Sequence, residues 1–304
     1  MWAIQTEDLT RRYRDGTGVH ALALAVPRGA VYGFLGANGA GKTTTIRLLL
    51  GLLRRDAGRI ELLGTPLDAT HRAVLAQVGA LVESPALYPH LDGEANLEVT
   101  RRLLGLPHAR IDAVLDRVGL RHARHKRVRE YSLGMRQRLG IALALLASPQ
   151  LLILDEPGNG LDPAGIIELR QLLCSLAEDD GVTVFVSSHQ LSEVDLIATH
   201  LGVLDAGHLR FQGTRAAFRE QARPRLVLQC DAPERAASLL HDLADEVHVH
   251  GDDELHLRPR ASASAINARL VSHGIGVSHL ALEPITLESL FLAMTTPART
   301  EEAA

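Results

Sequence analysis

The feature that most constrains this chain is the run Gly-Ala-Asn-Gly-Ala-Gly-Lys-Thr at residues 36–43. It fits the pattern G-x-x-x-x-G-K-[ST], in which glycines let backbone N–H groups turn inward around an anion. The apolar residues 30–35 before it are typical of a strand, and residues 44–53 after it are typical of a helix. A helix N-terminus directed at the loop favours phosphate. The pattern predicts a phosphate-binding loop between a strand and a helix.

The residues of this loop suit a nucleotide phosphate chain and its metal ion. Lys42 would place a positive charge on the β- and γ-phosphates, and the Thr43 hydroxyl is a hard oxygen ligand for Mg²⁺. The remaining positions expected to contact the nucleotide are Gly36, Ala37, Asn38, Gly39, Ala40, Gly41 and Thr44.

A second apolar segment ends in two carboxylates. Residues 151–157 read Leu-Leu-Ile-Leu-Asp-Glu-Pro, which predicts a buried parallel strand. The carboxyl end of such a strand is where ligands bind in open α/β sheets. We expect Asp155 to hold Mg²⁺ through water, and Glu156 to orient and deprotonate the attacking water.

A third segment suggests that two chains cooperate. Residues 131–138 read Tyr-Ser-Leu-Gly-Met-Arg-Gln-Arg and precede an apolar run. We interpret Met135 as the start of a helix, with Ser132 and Gly134 at its entrance, which gives a second phosphate-binding device. One ATP does not need two such devices from one chain, whereas a head-to-tail dimer does.

These elements together resemble the ATP-binding subunit of an ABC transporter. Residues 132–135 match the signature of that family in a variant form, with Met135 in place of the final Gln. The resemblance covers roughly residues 3–220 and implies ATP and Mg²⁺ as cofactors. It also implies that Tyr13 stacks on adenine, that His189 contacts the γ-phosphate, and that Asp162 lies in a loop crossing the dimer interface.

One position departs from the family pattern. Where the family usually has Gln, this chain has Glu83, and Gln77 lies too early, on an expected preceding helix. A carboxylate can still ligate Mg²⁺, but it adds a negative charge and lacks the amide donor. Glu83 and the segment 131–138 resemble the bacitracin and lantibiotic branch of antibiotic exporters. The alternative is neutral drift at this position within a generic drug-export subunit.

Composition limits the class of protein. The formal net charge is −4 and the sequence pI about 6.4, which argues against a nucleic-acid partner. The two cysteines, Cys174 and Cys230, exclude a disulfide scaffold and fit a reducing cytoplasm. No signal peptide and no apolar run of about 20 residues is found, so we expect a separate permease to form the transport pathway. The expected location is the cytoplasmic face of the membrane.

The predicted fold class is α/β, with an ABC-type ATPase domain and a small C-terminal α+β domain. The ATPase domain would combine a RecA-like core, an antiparallel β subdomain and a helical subdomain. The order β-α-β-β-α-β after residue 224 matches a ferredoxin-like unit, and a final helix is predicted after it at residues 286–294. The predicted boundaries are 1–222 for the ATPase domain, 223–295 for the accessory domain and 296–304 for a disordered tail.

The sequence leaves some alternatives open. The expected function is ATP hydrolysis that powers export of an antibiotic peptide, drug or lipid-like compound, by a homodimer or a paired ATPase subunit. The alternative is a soluble ABC ATPase with a regulatory, nucleic-acid or ribosome role, although the chain has one set of motifs and no sustained heptads. Basic residues at 121–129 could meet an acidic loop or lipid, but a solvated helix end is favoured.

Overall fold

The structure is a computed structural model that describes residues 1–68, 71–190, 194–220 and 225–283, with residues 290 and 294. The chain divides into two compact units, Met1–Arg215 and Ala216–Ala304. The predicted boundary between residues 222 and 223 lies outside the described residues, as does the predicted tail at 296–304.

The first unit contains both strands and helices. Its strands are β1 (Trp2–Arg12), β2 (Gly18–Leu22), β3 (Ala25–Pro27), β4 (Val31–Leu35), β5 (Ala57–Leu62), β6 (Thr65–Pro66), β7 (Val78–Leu81), β8 (Leu151–Asp155), β9 (Thr183–Ser188), β10 (His200–Asp205) and β11 (His208–Thr214). Its helices are α1 (Lys42–Leu49), α2 (Gly93–Leu103), α3 (Ala109–Arg117), α4 (Leu133–Leu145) and α5 (Pro163–Glu178), with short 3-10 helices at Ala73–Gln77, Arg121–Ala123 and Val128–Glu130. Helix α6 (Arg215–Glu220) begins at the last residue of this unit.

The central sheet has the strand order β11-β10-β4-β9-β8-β7. Its neighbours pair in parallel except β11, which is antiparallel to β10. Strands β4 and β8 are buried along their whole length, as near-continuous apolar runs in a doubly covered sheet require. Leu35 pairs with Ser188, and Asp155 pairs with Ser187. The carboxyl ends of β4, β8 and β9 therefore lie side by side.

An antiparallel sheet and a helical layer complete the first unit. The antiparallel sheet has the order β2-β1-β5-β6, and β3 also pairs with β1. Helices α2, α3 and α4 bury apolar faces against one another, with Leu97, Ile111 and Leu139 fully buried. These two layers correspond to the predicted β and helical subdomains.

Three predicted boundaries in this unit were wrong in detail. The helix after the phosphate loop ends at Leu49 rather than residue 53, because Gly51 adopts a left-handed φ of 64° that stops a helix. Helix α4 begins at Leu133, since the Ser132 side chain accepts a hydrogen bond from the Met135 backbone and caps the helix. Gly134 thus lies in the first turn and not at the entrance. The apolar run at residues 182–186 predicts a strand that ends at Val186, whereas strand β9 runs to Ser188.

The second unit contains β12 (Arg225–Cys230), α7 (Pro233–Leu240), β13 (Ala244–His250), β14 (Glu254–Pro259), α8 (Ala263–Ser272) and β15 (Val277–Glu283). Its strands form one sheet in the order β13-β14-β12-β15, with all neighbours antiparallel. Leu226, Leu228 and Leu257 from the sheet form a core with Leu240 and Ile266 from the helices. The helix predicted at residues 286–294 lies outside the described residues except at 290 and 294.

Candidate nucleotide site

The phosphate loop connects β4 to α1. Gly41 caps α1 with a φ of 109°, and a Cβ there would lie 2.9 Å from the Gly18 carbonyl oxygen. The Ala40 carbonyl accepts a hydrogen bond of 2.9 Å from the Gly207 backbone. The loop is thus held between the start of β2 and the β10–β11 turn, and only glycine fits at position 41. Asn38 in this loop is exposed, and Thr44 in the first turn of α1 is half-buried.

Lys42 is almost fully buried, with 6% of its side chain exposed. Its Nζ donates to the carbonyl oxygens of Gly36 at 2.7 Å and Ala37 at 3.2 Å. It also lies 3.2 Å from Oε1 of Glu156. The ammonium group is therefore held at the centre of the loop, where its three donors are directed at oxygen atoms.

The two carboxylates that end β8 have separate partners. Ser187 on β9 donates a 2.6 Å hydrogen bond to Oδ1 of buried Asp155, and the Ser187 hydroxyl accepts one of 2.9 Å from the Glu156 backbone. Oε2 of Glu156 lies 2.5 Å from Nδ1 of His189. Glu156 therefore joins Lys42 to His189, and the three residues expected to act in catalysis meet at one point.

One cleft of about 430 Å³ brings together Thr43, Glu83, Asp155 and Glu156. Its wall also includes Leu133 and Arg136 from the start of α4. A hydroxyl and carboxylates are the hard oxygen ligands that Mg²⁺ prefers, so Thr43, Glu83 and Asp155 fit that ion. In the described part of the chain, no three His, Cys, Asp or Glu side chains form a ready metal cage.

Glu83 lies two residues after β7 and has a left-handed φ of 60°. Its Oε1 forms an ion pair with Arg47 of α1. The side chains of Glu83 and Arg47 are 62% and 42% exposed. Gln77 ends the 3-10 helix before β7, which confirms that it lies on a preceding helix.

The remaining predicted residues are accessible on the surface of the first unit. Ser132 caps α4, and Asp162 caps α5 by accepting a 2.9 Å hydrogen bond from the Gly165 backbone. Tyr13 follows β1, is 37% exposed, and has the Arg11 guanidinium 5.5 Å from its ring centroid.

Sequence reasoning missed two residues of this region. Ser187 donates to the Asp155 carboxylate and accepts from the Glu156 backbone, and its place in the segment Ser-Ser-His at residues 187–189 is a usable signal. Arg47 had no such signal, because it lies 36 positions from Glu83. Contacts at that sequence separation depend on the tertiary fold.

Local contacts account for much of the basic segment at 121–129. Arg121 pairs with Asp116 at 2.7 Å. Arg124 pairs with Glu94 at 2.6 Å and with Asp112 at 2.8 Å. The hydrogen bonds from Arg124 hold the pKa of the Glu94 carboxyl below its usual range. These pairs support the interpretation of this segment as a solvated helix end.

A strand, a glycine-rich loop and a helix that hold a buried lysine beside an Asp-Glu strand end define a P-loop nucleotide-hydrolysing protein. The family described as "ABC transporter" matches residues 19–159. The chain is 39% identical over 295 residues to the bacitracin transport ATP-binding protein BcrA of Bacillus licheniformis, covering 96% of both chains. It is 44% identical over 209 residues to BcrA of Enterococcus faecalis, covering 68% of each. The chain belongs to the ATP-binding subunits of the ABC transporter family.

A solved structure supports the same assignment. The structure of cbiO1 from Clostridium perfringens, described as part of the ABC transporter complex cbiONQ, matches with a TM-score of 0.66 and 29% identity. The match covers 72% of this chain and 92% of cbiO1. The predicted family and its ATPase activity are confirmed, and the alternative of a soluble regulatory ATPase is not favoured. Within the described residues, no helix is long and apolar enough to cross a bilayer.

Proposed function

We propose that this chain acts at the cytoplasmic face of the membrane, where it powers the export of an antibiotic peptide, a drug or a lipid-like compound through a separate permease. The observation that carries the ATP-hydrolysing part of the proposal is the convergence of Lys42, Glu156 and His189 at the end of β8. The relatives of similar length that are named for bacitracin transport support the substrate class.

The chemistry follows from the partners of each side chain. Lys42 binds the β- and γ-phosphates, and Glu156 accepts the proton of the attacking water. Contact between Nδ1 of His189 and Oε2 of Glu156 orients that carboxylate. The imidazole would contact the γ-phosphate. Thr43, Asp155 and Glu83 would hold Mg²⁺, which neutralises charge that develops on the phosphate oxygens. Tyr13 stacks on the adenine.

Two copies of the chain would complete each site. Ser132 and Gly134 of one copy approach the γ-phosphate bound by the other, and Asp162 lies where the two copies meet. Support comes from the N-terminus of α4, where Ser132 is exposed and Leu133 is 44% exposed. Because the γ-phosphate contacts both copies, ATP favours the closed dimer and hydrolysis reopens it.

The C-terminal unit is proposed to be a ferredoxin-like accessory domain. Its support is the element order β-α-β-β-α-β with the strand order β13-β14-β12-β15. Every nucleotide residue named above precedes this unit, so its role is to regulate the transporter or stabilise its partner.

The test is a resistance assay in which this chain is expressed together with a permease that co-purifies with it. Both genes are expressed in a bacitracin-sensitive host, and the inhibitory concentration is measured for wild type and for Lys42→Ala. We expect protection with the wild type and none with the variant. Equal sensitivity in both strains, with both proteins present in the membrane fraction, would contradict antibiotic export as the function.

A further inference from the structure

An ion pair links the helix of the phosphate loop to the position where this chain departs from its family. Arg47 lies four residues after Thr43 on α1, so the two side chains share one face of the helix. Arg47 contacts Oε1 of Glu83 through its guanidinium group. The metal-binding hydroxyl and the cation that holds Glu83 are therefore stacked on adjacent turns of one rigid element.

The backbone of Glu83 shows that its position is maintained by its surroundings. A φ of 60° is uncommon for a residue with a Cβ and carries a conformational cost. Such a conformation persists only where contacts stabilise it. Among the described residues, Arg47 is the one that forms an ion pair with Glu83.

The ion pair lies in a cleft that holds several negative charges. Glu83, Asp155 and Glu156 are three carboxylates that line one cleft. Glu156 has Lys42 and His189 as partners, and Asp155 accepts from Ser187. The structure pairs only Oε1 of Glu83, which leaves Oε2 without a protein partner among the described residues. Arg47 thus offsets the negative charge that replaces the usual amide.

We propose that Arg47 is a positioning residue that holds Oε1 of Glu83 and so presents Oε2 to the metal of the bound nucleotide. This inference rests on the proposed function, because it takes Glu83 as a Mg²⁺ ligand. The proposed role of Arg47 differs in one respect from that of an ordinary surface ion pair. A surface pair stabilises the chain alone, whereas a positioning residue changes how much Mg²⁺ strengthens nucleotide binding.

The test measures ATP affinity by calorimetry with and without Mg²⁺, in chains that carry Glu156→Gln so that turnover does not interfere. The readout is the ratio of the two dissociation constants. We compare Arg47→Gln, Arg47→Lys, Glu83→Gln and the double variant Arg47→Gln with Glu83→Gln. Arg54→Gln is the matched control, since Arg54 is exposed and follows the same helix. Melting temperatures confirm that each variant is folded.

The Mg²⁺-dependent gain is the ratio of the ATP dissociation constant without Mg²⁺ to the constant with Mg²⁺. We expect Arg47→Gln to reduce this gain about 3- to 5-fold, the upper range for an exposed ion pair. Arg47→Lys should retain most of the gain, and Arg54→Gln all of it. In the Glu83→Gln background, Arg47→Gln should have no further effect, because the ion pair is already lost.

An equal loss in both backgrounds would show that Arg47 acts without Glu83 and would overturn the inference. An unchanged gain in Arg47→Gln would overturn it as well. Failure of the resistance assay would instead count against the proposed export function, since the affinity ratios need neither permease nor substrate. The two failures are therefore distinguishable.

Discussion

The side chain of Lys42 gives the sharpest test of the nucleotide site. In the structure its ammonium group lies 3.2 Å from Glu156 and 2.7 Å from the Gly36 carbonyl. Replacement by alanine removes a charge-assisted hydrogen bond to phosphate, worth about 1.5–3 kcal/mol. At about 1.4 kcal/mol for each factor of ten, ATP binding weakens roughly 10- to 150-fold.

The surroundings of Lys42 decide which end of this range applies. Without the lysine, His189 is the one side-chain partner of Glu156 among the described residues, and an unneutralised carboxylate then faces the triphosphate. Repulsion of the phosphates adds to the lost contact, so we expect the larger loss. ATP turnover should fall to background, because the γ-phosphate is no longer held beside the base.

The assay is titration calorimetry with ATP, followed by phosphate release in the presence of the permease. The chain provides its own control, because Lys126 is the only other lysine and is exposed. Lys126→Ala should leave affinity and turnover unchanged. Near-normal turnover in Lys42→Ala would refute the assignment of this loop as the phosphate site.

Three further predictions concern Glu83, the second unit and the helical layer. Glu83→Gln should be mild because its amide oxygen can ligate, whereas Glu83→Ala should lower transport per ATP hydrolysed; identical coupling in all three chains would make Glu83 an ordinary loop carboxylate. Deletion after residue 223 should leave a soluble core that binds ATP, as calorimetry would measure, and an insoluble product would contradict the predicted boundary. Stability from Glu94 is present above the ordinary carboxyl pKa and is lost as pH falls through its lowered pKa; Arg124→Gln should flatten this acid dependence in thermal melts, and an unchanged profile would contradict the role of the pair.

The parts of the site that were predictable from sequence are those set by local chemistry. The phosphate loop and the Asp155–Glu156 pair lie at the ends of apolar strands, and strand ends in a parallel sheet converge. Turn-forming and charged residues flank residues 225–230, which predicts a strand over that range, and strand β12 has the same bounds.

The parts that could not be predicted depend on tertiary contacts. Glu83 and Glu156 adopt left-handed backbone conformations that residues with a Cβ seldom take, so nothing in the local sequence indicates them. The partners Arg47 and Ser187 come from other elements. Helix α4 begins at Leu133, two residues before the predicted start at Met135, because the Ser132 side chain caps it there.

The central claim is that Glu156 is the base of an ATPase site that a second copy completes. The most direct measurement is the mass of Glu156→Gln by sizing chromatography with light scattering, in Mg²⁺ with ATP or ADP. The substitution keeps the shape of the side chain and removes the base, so the account predicts very slow hydrolysis and a dimer that forms with ATP and not with ADP. A monomer that still turns over ATP rapidly would contradict the account.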